Sequence, residues 1–430
     1  MLKACQKASS ASAVKLYGAG NVADAEIGDG QCGTFLVIQK QPQKRVIMVH
    51  PVLFNQNAYF GRGAIAEVPN CAKSLGLTKA FIVTGPVLTR VGTVAKVTDL
   101  LDAAGIGYVS YTDVAPNPPI EDITKGVAAF KASGADFIIG LGGGSPQDAC
   151  KAIGIVAANP EFADVSSLEG LSPTKNPSVP IFGIPTTAGS ASETTDYYVV
   201  TDEQAERKWV AVDPHCMPIV AFVDPDLMDG MPRHLKVASG LDCLTHAIES
   251  YINPDAWALT EALSKKSFEL TAQYLPKSAA GDSEAVEMMG YSSFIAGMAF
   301  SNVGLGLVHS MAHQLGGRLG VDHGEANGIL LAKVMEFNKE YTGEKYRDIA
   351  NAFGVADAYT GDLDAVREEA VTAVHDFALS LGNPATISEV GAKEEDLQPL
   401  AEAAFIDACL PGNPRKPTVE EIRGIYASLM

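Results

Sequence analysis

Three of the chain's eight histidines fall within Asn302–Leu330, NVGLGLVHSMAHQLGGRLGVDHGEANGIL. His309 and His313 are four residues apart, so on a helix they share one face. Gly316–Gly317 reads as a break, after which a turn can bring His323 back to the same place. Upstream, Asp242 and His246 in GLDCLTH repeat the four-residue spacing. One carboxylate and several imidazoles delivered by helices can form a divalent-metal site with a position open for substrate. The competing reading is a set of ordinary, partly buried histidines. Two such pairs together with Asp322-His323-Gly324 weigh against it.

The elements that must position these residues follow a change of texture along the chain. Ala80–Thr84, Gly107–Tyr111 and Asp136–Leu141 are short apolar runs that read as strands. They alternate with helical stretches at Val91–Ala104 and Ile120–Ser133. This alternation predicts a parallel sheet covered on both faces, and covered faces explain continuously apolar strands. Pro180–Ile184 and Ile219–Val223 extend the sheet, and Lys208–Val212 reads as a hairpin strand. Beyond Asp224-Pro225, long amphipathic stretches replace strands: Val237–Tyr251, Leu259–Tyr274 and Ser283–Ala299. The expectation is an α/β nucleotide-binding domain over 48–224, an all-helical domain over 225–430, and a flexible leader over 1–47.

Two polar loops stand at strand ends, where open α/β sheets bind ligands. The first, Gly142-Gly143-Gly144-Ser145-Pro146-Gln147-Asp148, lets backbone approach a phosphate, with a helix N-terminus behind it. It is neither GxGxxG nor a Walker A loop, and a tight structural turn is the alternative. The second is Pro185-Thr186-Thr187-Ala188-Gly189-Ser190-Ala191-Ser192-Glu193. Its hydroxyls can bond a ribose or phosphate, and Ser190 with Glu193 also resembles a capping box.

At 430 residues the chain exceeds one ordinary core, and 47% hydrophobic residues make it globular. The formal charge of −19 argues against nucleic-acid or anionic-membrane partners. Seven scattered cysteines without a CxxC imply a reducing compartment, and no apolar run reaches membrane-spanning length, so the expected location is cytoplasmic. Residues 1–23 hold three lysines but no acid and no arginine. They read as a disordered tail or a start placed too early rather than a transit peptide.

GGGSPQD, IPTTAGS, VDPH, GLDCLTHAIESYI and GLGLVHSMAHQLG, in this order, resemble the motifs of the iron-containing (group III) alcohol dehydrogenases from about Phe60 onward. The resemblance implies a dehydroquinate synthase-like fold, with a metal on Asp242, His246, His309 and His323. It implies that His313 lines the nicotinamide side without binding metal. It places cofactor contacts on Asn117, Gly143, Gly144, Ser145, Asp148, Thr186, Thr187, Ser190 and Lys208. The expected reaction is hydride transfer between NAD(P) and a small alcohol or aldehyde, specifically the lactaldehyde and 1,2-propanediol pair. A ligand set without cysteine suits Fe²⁺, and Zn²⁺ also accepts His and Asp. Homodimers or larger homo-oligomers are expected.

Three departures stand out. Gly85-Pro86 occupies the strand end where NAD-dependent members usually place an Asp that repels a 2′-phosphate, so NADP should be tolerated. Gln314, Arg318 and Leu319 are expected to reshape the cleft wall. The leader has no counterpart in the family pattern. Two other readings remain: a dehydroquinate-synthase-like NAD- and metal-dependent lyase, which needs a basic pocket, and a non-enzymatic nucleotide or metal sensor.

Overall fold

The computed structural model describes residues 49–171 and 174–430, so the expected leader lies outside the described residues. Val52–Met430 form one compact unit. Its strands are β1 (Asn57–Phe60), β2 (Lys79–Val83), β3 (Gly107–Tyr111), β4 (Phe137–Gly142), β5 (Gly170–Leu171), β6 (Ile181–Pro185), β7 (Tyr197–Asp202), β8 (Arg207–Val212) and β9 (Val220–Val223). Six of them form one parallel sheet in the order β1-β9-β6-β4-β2-β3. Side chains alternate across it: Phe81 and Val83 enter one apolar cluster, Ala80 and Ile82 the opposite one. Both faces are therefore buried, as the unbroken apolar runs require.

Helices α1 (Val68–Ser74), α2 (Pro86–Arg90), α3 (Thr93–Ala104), α4 (Ile120–Ser133) and α5 (Gly144–Ala158) connect these strands. The helix expected over Val91–Ala104 is α3, which begins two residues later, and the short α2 precedes it. Gly92 adopts φ 82, a left-handed conformation that interrupts helical hydrogen bonding. The hairpin strand expected at Lys208 is β8, and its antiparallel partner is β7. After β9 no strand occurs among the described residues. Helices α6 (Arg233–Ile252), α7 (Ala258–Ala279), α8 (Ser283–Phe300), α9 (Leu307–Leu319), α10 (His323–Asn338), α11 (Lys345–Ala352), α12 (Leu363–Ser380), α13 (Leu397–Phe405) and α14 (Val419–Ala427) share one extensive apolar cluster.

The break expected at Gly316–Gly317 is not there. Helix α9 runs through both glycines and stops at Gly320, which takes the left-handed φ of 72. The pair is small for a packing reason. A Cβ on Gly317 would stand 2.6 Å from the backbone nitrogen of Lys208, and one on Gly316 would stand 2.5 Å from Lys208 Nζ. The missing side chains let β8 lie directly on α9, which brings Lys208 beside the histidine helix. The turn that returns His323 follows instead. Asp322 Oδ1 accepts from Gly324 N–H at 3.1 Å and Glu325 N–H at 3.3 Å, capping α10.

Gly317→Ala is expected to cost about 1–3 kcal/mol through overpacking against backbone that cannot move aside. Gly424→Ala, on α14 with no atom within 4 Å of the new methyl, is expected to gain up to about 1 kcal/mol from helix propensity. Urea midpoints of the two variants should move in opposite directions, and a common shift would refute the packing account of the glycine pair.

Candidate metal and cofactor site

Helix α6 carries Asp242 and His246 one turn apart on its buried side, α9 carries His309 and His313 likewise, and α10 opens on His323. Their tips converge. Asp242 Oδ1 lies 3.7 Å from His246 Nε2, 3.6 Å from His309 Nε2 and 3.4 Å from His323 Nε2. Donors held at roughly 2.1 Å from one ion stand about this far apart. Ligand atoms of Asp242, His246 and His309 lie within 4.8 Å of one another, and His323 joins them through Asp242.

Hydrogen bonds on the far side of two rings orient them. His246 Nδ1 is 3.2 Å from the Gly189 carbonyl oxygen, and His309 Nδ1 is 2.6 Å from Glu249 Oε2. A proton on each Nδ1 leaves Nε2 with a lone pair directed at Asp242. Asn327, one turn after His323, donates from Nδ2 to Asp242 Oδ1 at 2.8 Å. Burial pushes the imidazole of His246 down to about 3 and that of His323 well below its usual range, so both are neutral, as metal ligands must be. Burial also lowers His309, but Asp242 and Glu249 on either side outweigh it and raise the ring to about 9. For Asp242 burial acts upward, yet the three imidazoles prevail and hold the carboxyl low. The pocket thus attracts positive charge between two buried carboxylates. This donor set fits a divalent cation of Fe²⁺ or Zn²⁺ type.

His313 has a different environment. Its Nδ1 is 3.0 Å from Asp407 Oδ2, and its ring stacks on His323 with centroids 5.3 Å apart. Asp407 also accepts from Gln314 Nε2 at 3.2 Å and from Cys409 N–H at 2.9 Å. His313, Asp407 and Cys409 form a second compact cluster, but burial pushes the Cys409 thiol well above its ordinary range, so it offers no thiolate. Gln314, Arg318 and Leu319 do not reshape the cavity wall as expected, because none of them lines it. Gln314 turns to Asp407, and Arg318 pairs with Asp396 and Glu206 at the surface.

A cavity of about 360 Å³ runs from the donor cluster to the glycine loop. Of the cofactor positions expected from sequence, Asn117, Gly144, Ser145 and Asp148 reach its wall, as do Thr187, Ser190 and Lys208. Gly85, Gly143 and Thr186 do not. Thr186 N–H donates to the Gly142 carbonyl at 3.0 Å, joining the loops after the neighbouring strands β4 and β6. A Cβ on Gly143 would meet Thr187, and one on Gly144 would meet Ser190, each at 3.1 Å, so the glycines also seat the second loop. Both carboxylate oxygens of Asp148 are engaged within the fold, by Ser192 Oγ at 2.7 Å and Val199 N–H at 3.1 Å. The capping box expected from Ser190 and Glu193 is absent. The short 3₁₀ turn there is entered from Ala191 without a side-chain cap, and Glu193 is buried, its carboxyl pushed up to about 7 by burial.

Among the described residues, Lys208 is the only lysine or arginine on the cavity wall. Burial pushes its ammonium down to about 8, against the pull of Asp322, Asp148 and Asp242. A single cation falls short of the basic pocket that a dehydroquinate-synthase-like reaction requires.

Sequence reasoning missed three polar residues of this region. Glu249 is three residues past His246 on the same helix, and Asn327 four past His323, so helical spacing from a ligand candidate could have flagged both. Asp407 is 94 residues from His313 and had no local signal.

Residues 55–225 match the model of the iron-containing alcohol dehydrogenases, and residues 236–430 match that of the Fe-containing alcohol dehydrogenase family, C-terminal part. The chain is 53% identical over 379 residues to lactaldehyde reductase of Escherichia coli K12, covering 88% of this chain and 99% of the relative. It is 39% identical over 374 residues to the NAD-dependent methanol dehydrogenase of Bacillus methanolicus, covering 86% and 97%. Its fold superposes on a crystal structure of 1,3-propanediol oxidoreductase with a TM-score of 0.85 at 37% identity, covering 89% of this chain and all of the other. With both stretches of its described length matched in this way, the chain belongs to the iron-containing alcohol dehydrogenase family and is a metal-dependent, NAD-linked alcohol oxidoreductase.

Proposed function

We propose that the chain interconverts lactaldehyde and 1,2-propanediol, using Fe²⁺ held by Asp242, His246, His309 and His323. The observation that carries the reading is that these four donors and the glycine loop open into one cavity. The identity to lactaldehyde reductase supports the substrate. When bound, the divalent ion supplies Lewis acidity toward the substrate oxygen and the nicotinamide supplies or accepts hydride. Around them the chain positions and shields. Asn117, Gly144, Ser145, Thr187, Ser190 and Lys208 face the dinucleotide, with Lys208 as the cation for its phosphates, while Gly143, Asp148 and Thr186 hold the two loops in place behind them. Phe300, Leu305, Val210 and Cys409 close one wall with apolar surface, which suits a short alkyl tail. His313, tethered at Nδ1 by Asp407, presents Nε2 for placing the nicotinamide, and secondarily for moving the substrate proton.

The same reading includes a homodimer or larger homo-oligomer and a cytoplasmic location. The exposed apolar side chains of Val52, Phe54 and Phe60 around edge strand β1 support the first. Five described cysteines, all free and buried, support the second. No helix among the described residues is long and apolar enough to cross a membrane.

The direct test reconstitutes the chain anaerobically with Fe²⁺ and, separately, Zn²⁺. Absorbance of NADH or NADPH is then followed with lactaldehyde and other short aldehydes. Lactaldehyde is expected to give the highest kcat/KM, with Fe²⁺ more active than Zn²⁺. Turnover confined to other aldehydes would discard this substrate.

Gly85 leaves no carboxylate at the end of β2, and the reading includes acceptance of NADP alongside NAD. Gly85→Asp is expected to reduce kcat/KM for NADPH relative to NADH by about tenfold or more through like-charge repulsion. An unchanged ratio would move the discrimination elsewhere. The Lys208 ammonium is protonated below about 8 and loses its charge as pH rises through that value. KM for the dinucleotide should accordingly rise above pH 8, and Lys208→Ala should flatten the rise. A flat profile in the unaltered chain would remove Lys208 from phosphate binding.

A further inference from the structure

Glu249 is a buried carboxylate, 3% exposed, that neither binds substrate nor belongs to the proposed ligand set. It sits on α6 seven residues after Asp242 and three after His246, on the side that faces the start of α9. Its oxygens accept four hydrogen bonds from that helix start. Oε1 accepts from Val308 N–H at 2.6 Å, and Oε2 accepts from Gly306 N–H at 3.1 Å and His309 N–H at 3.4 Å. The fourth comes from His309 Nδ1, 2.6 Å from Oε2. Gly306, the residue at the N-cap of α9, has no side chain to offer. Glu249 therefore caps the helix from outside it, at the end where the helix dipole favours negative charge.

We propose that Glu249 is the positioning residue of the metal centre, holding His309 as the Nδ1–H tautomer so that its Nε2 lone pair meets the ion while fixing the helix that carries it. The inference rests on the ligand set proposed above. Two features separate it from plain helix capping. First, the His309 contact is shorter than two of the three backbone contacts and lies on the ring nitrogen opposite the one facing Asp242. Second, a single carboxylate links the helix bearing Asp242 and His246 to the helix bearing His309, so donor spacing and ring orientation are set together. A carboxylate behind a ligating imidazole makes that nitrogen more basic, and its loss typically lowers metal affinity about 10–100-fold. Glu249 also makes the pocket more negative, which favours a divalent ion.

The test compares metal affinity in Glu249→Gln and Asn413→Ala. Asn413 Oδ1 accepts from Leu307 N–H at 3.3 Å, so it caps the same helix turn without touching a histidine. Metal-free protein is titrated with Zn²⁺ against a chromophoric chelator at fixed pH, and circular dichroism confirms the fold of each form. Positioning predicts a Kd raised about 10–100-fold in Glu249→Gln and shifted less than about twofold in Asn413→Ala, although both lose thermal stability. Equal affinity in Glu249→Gln and the unaltered chain would overturn the proposal, and so would equal weakening in both variants. Should Glu249→Gln fail to fold, nitrogen NMR of the unaltered zinc-loaded chain decides. A proton on His309 Nδ1 is expected, and its absence rejects the proposal. An unaltered chain that takes up no metal would overturn the ligand set, and this inference with it.

Discussion

Asp242 is a carboxylate 5% exposed to solvent, with three imidazoles as its near neighbours, and burying such a charge costs several kcal/mol unless positive charge accompanies it. The helical half of the fold is built around that requirement. The rings of His246 and His323 stay neutral under burial, whereas His309, flanked by Asp242 and Glu249, is drawn toward the protonated state. A proton shared there, or a divalent ion in its place, balances the carboxylates. Bringing donors from three helices to one point needs long, rigid helices locked by a common core, and α6, α9 and α10 all bury their opposite faces in it.

The second constraint is that hydride transfer needs the nicotinamide ring and the substrate carbon within reach of one another, beside the metal donors. The loop after β6 provides the coupling. At Gly189 a Cβ would stand 2.3 Å from the carbonyl oxygen of Ser239 on α6, so only glycine lets the loop press onto that helix. At the contact, the Gly189 carbonyl meets His246 Nδ1. The same loop supplies Thr187 and Ser190 to the cavity wall and closes over the glycine turn after β4. A shift of this loop would disturb a ring at the donor cluster and the cavity wall at Thr187 and Ser190 together. Lys208 arrives from the other side, carried on β8 against the glycines of α9. Each half of the active cleft is thereby held by close backbone contact with the other.

Much of this is legible in the sequence itself. Apolar strands alternating with helices announced a covered parallel sheet, and the four-residue spacings of Asp242 with His246 and of His309 with His313 announced shared helix faces. Both are short-range periodicities, and local backbone geometry enforces them. Where the reading failed, packing had overridden local preference. Gly316 and Gly317 looked like a helix stop but are notches for a strand. Ser190 and Glu193 had capping-box spacing, yet Glu193 is drawn into the core.

The chain's own order of residues thus determined the layer architecture, the helix faces and the inventory of donors, because each is set by residues within a turn or two of one another. What it left open was which side chains meet across long separations. Glu249 reaches the turn at His309 across 60 residues, Asp407 reaches His313 across 94, and Asn327 reaches Asp242 across 85. Partnerships of that kind depend on how rigid helices cross in a close-packed core, a property of the assembled tertiary structure that local periodicity does not encode.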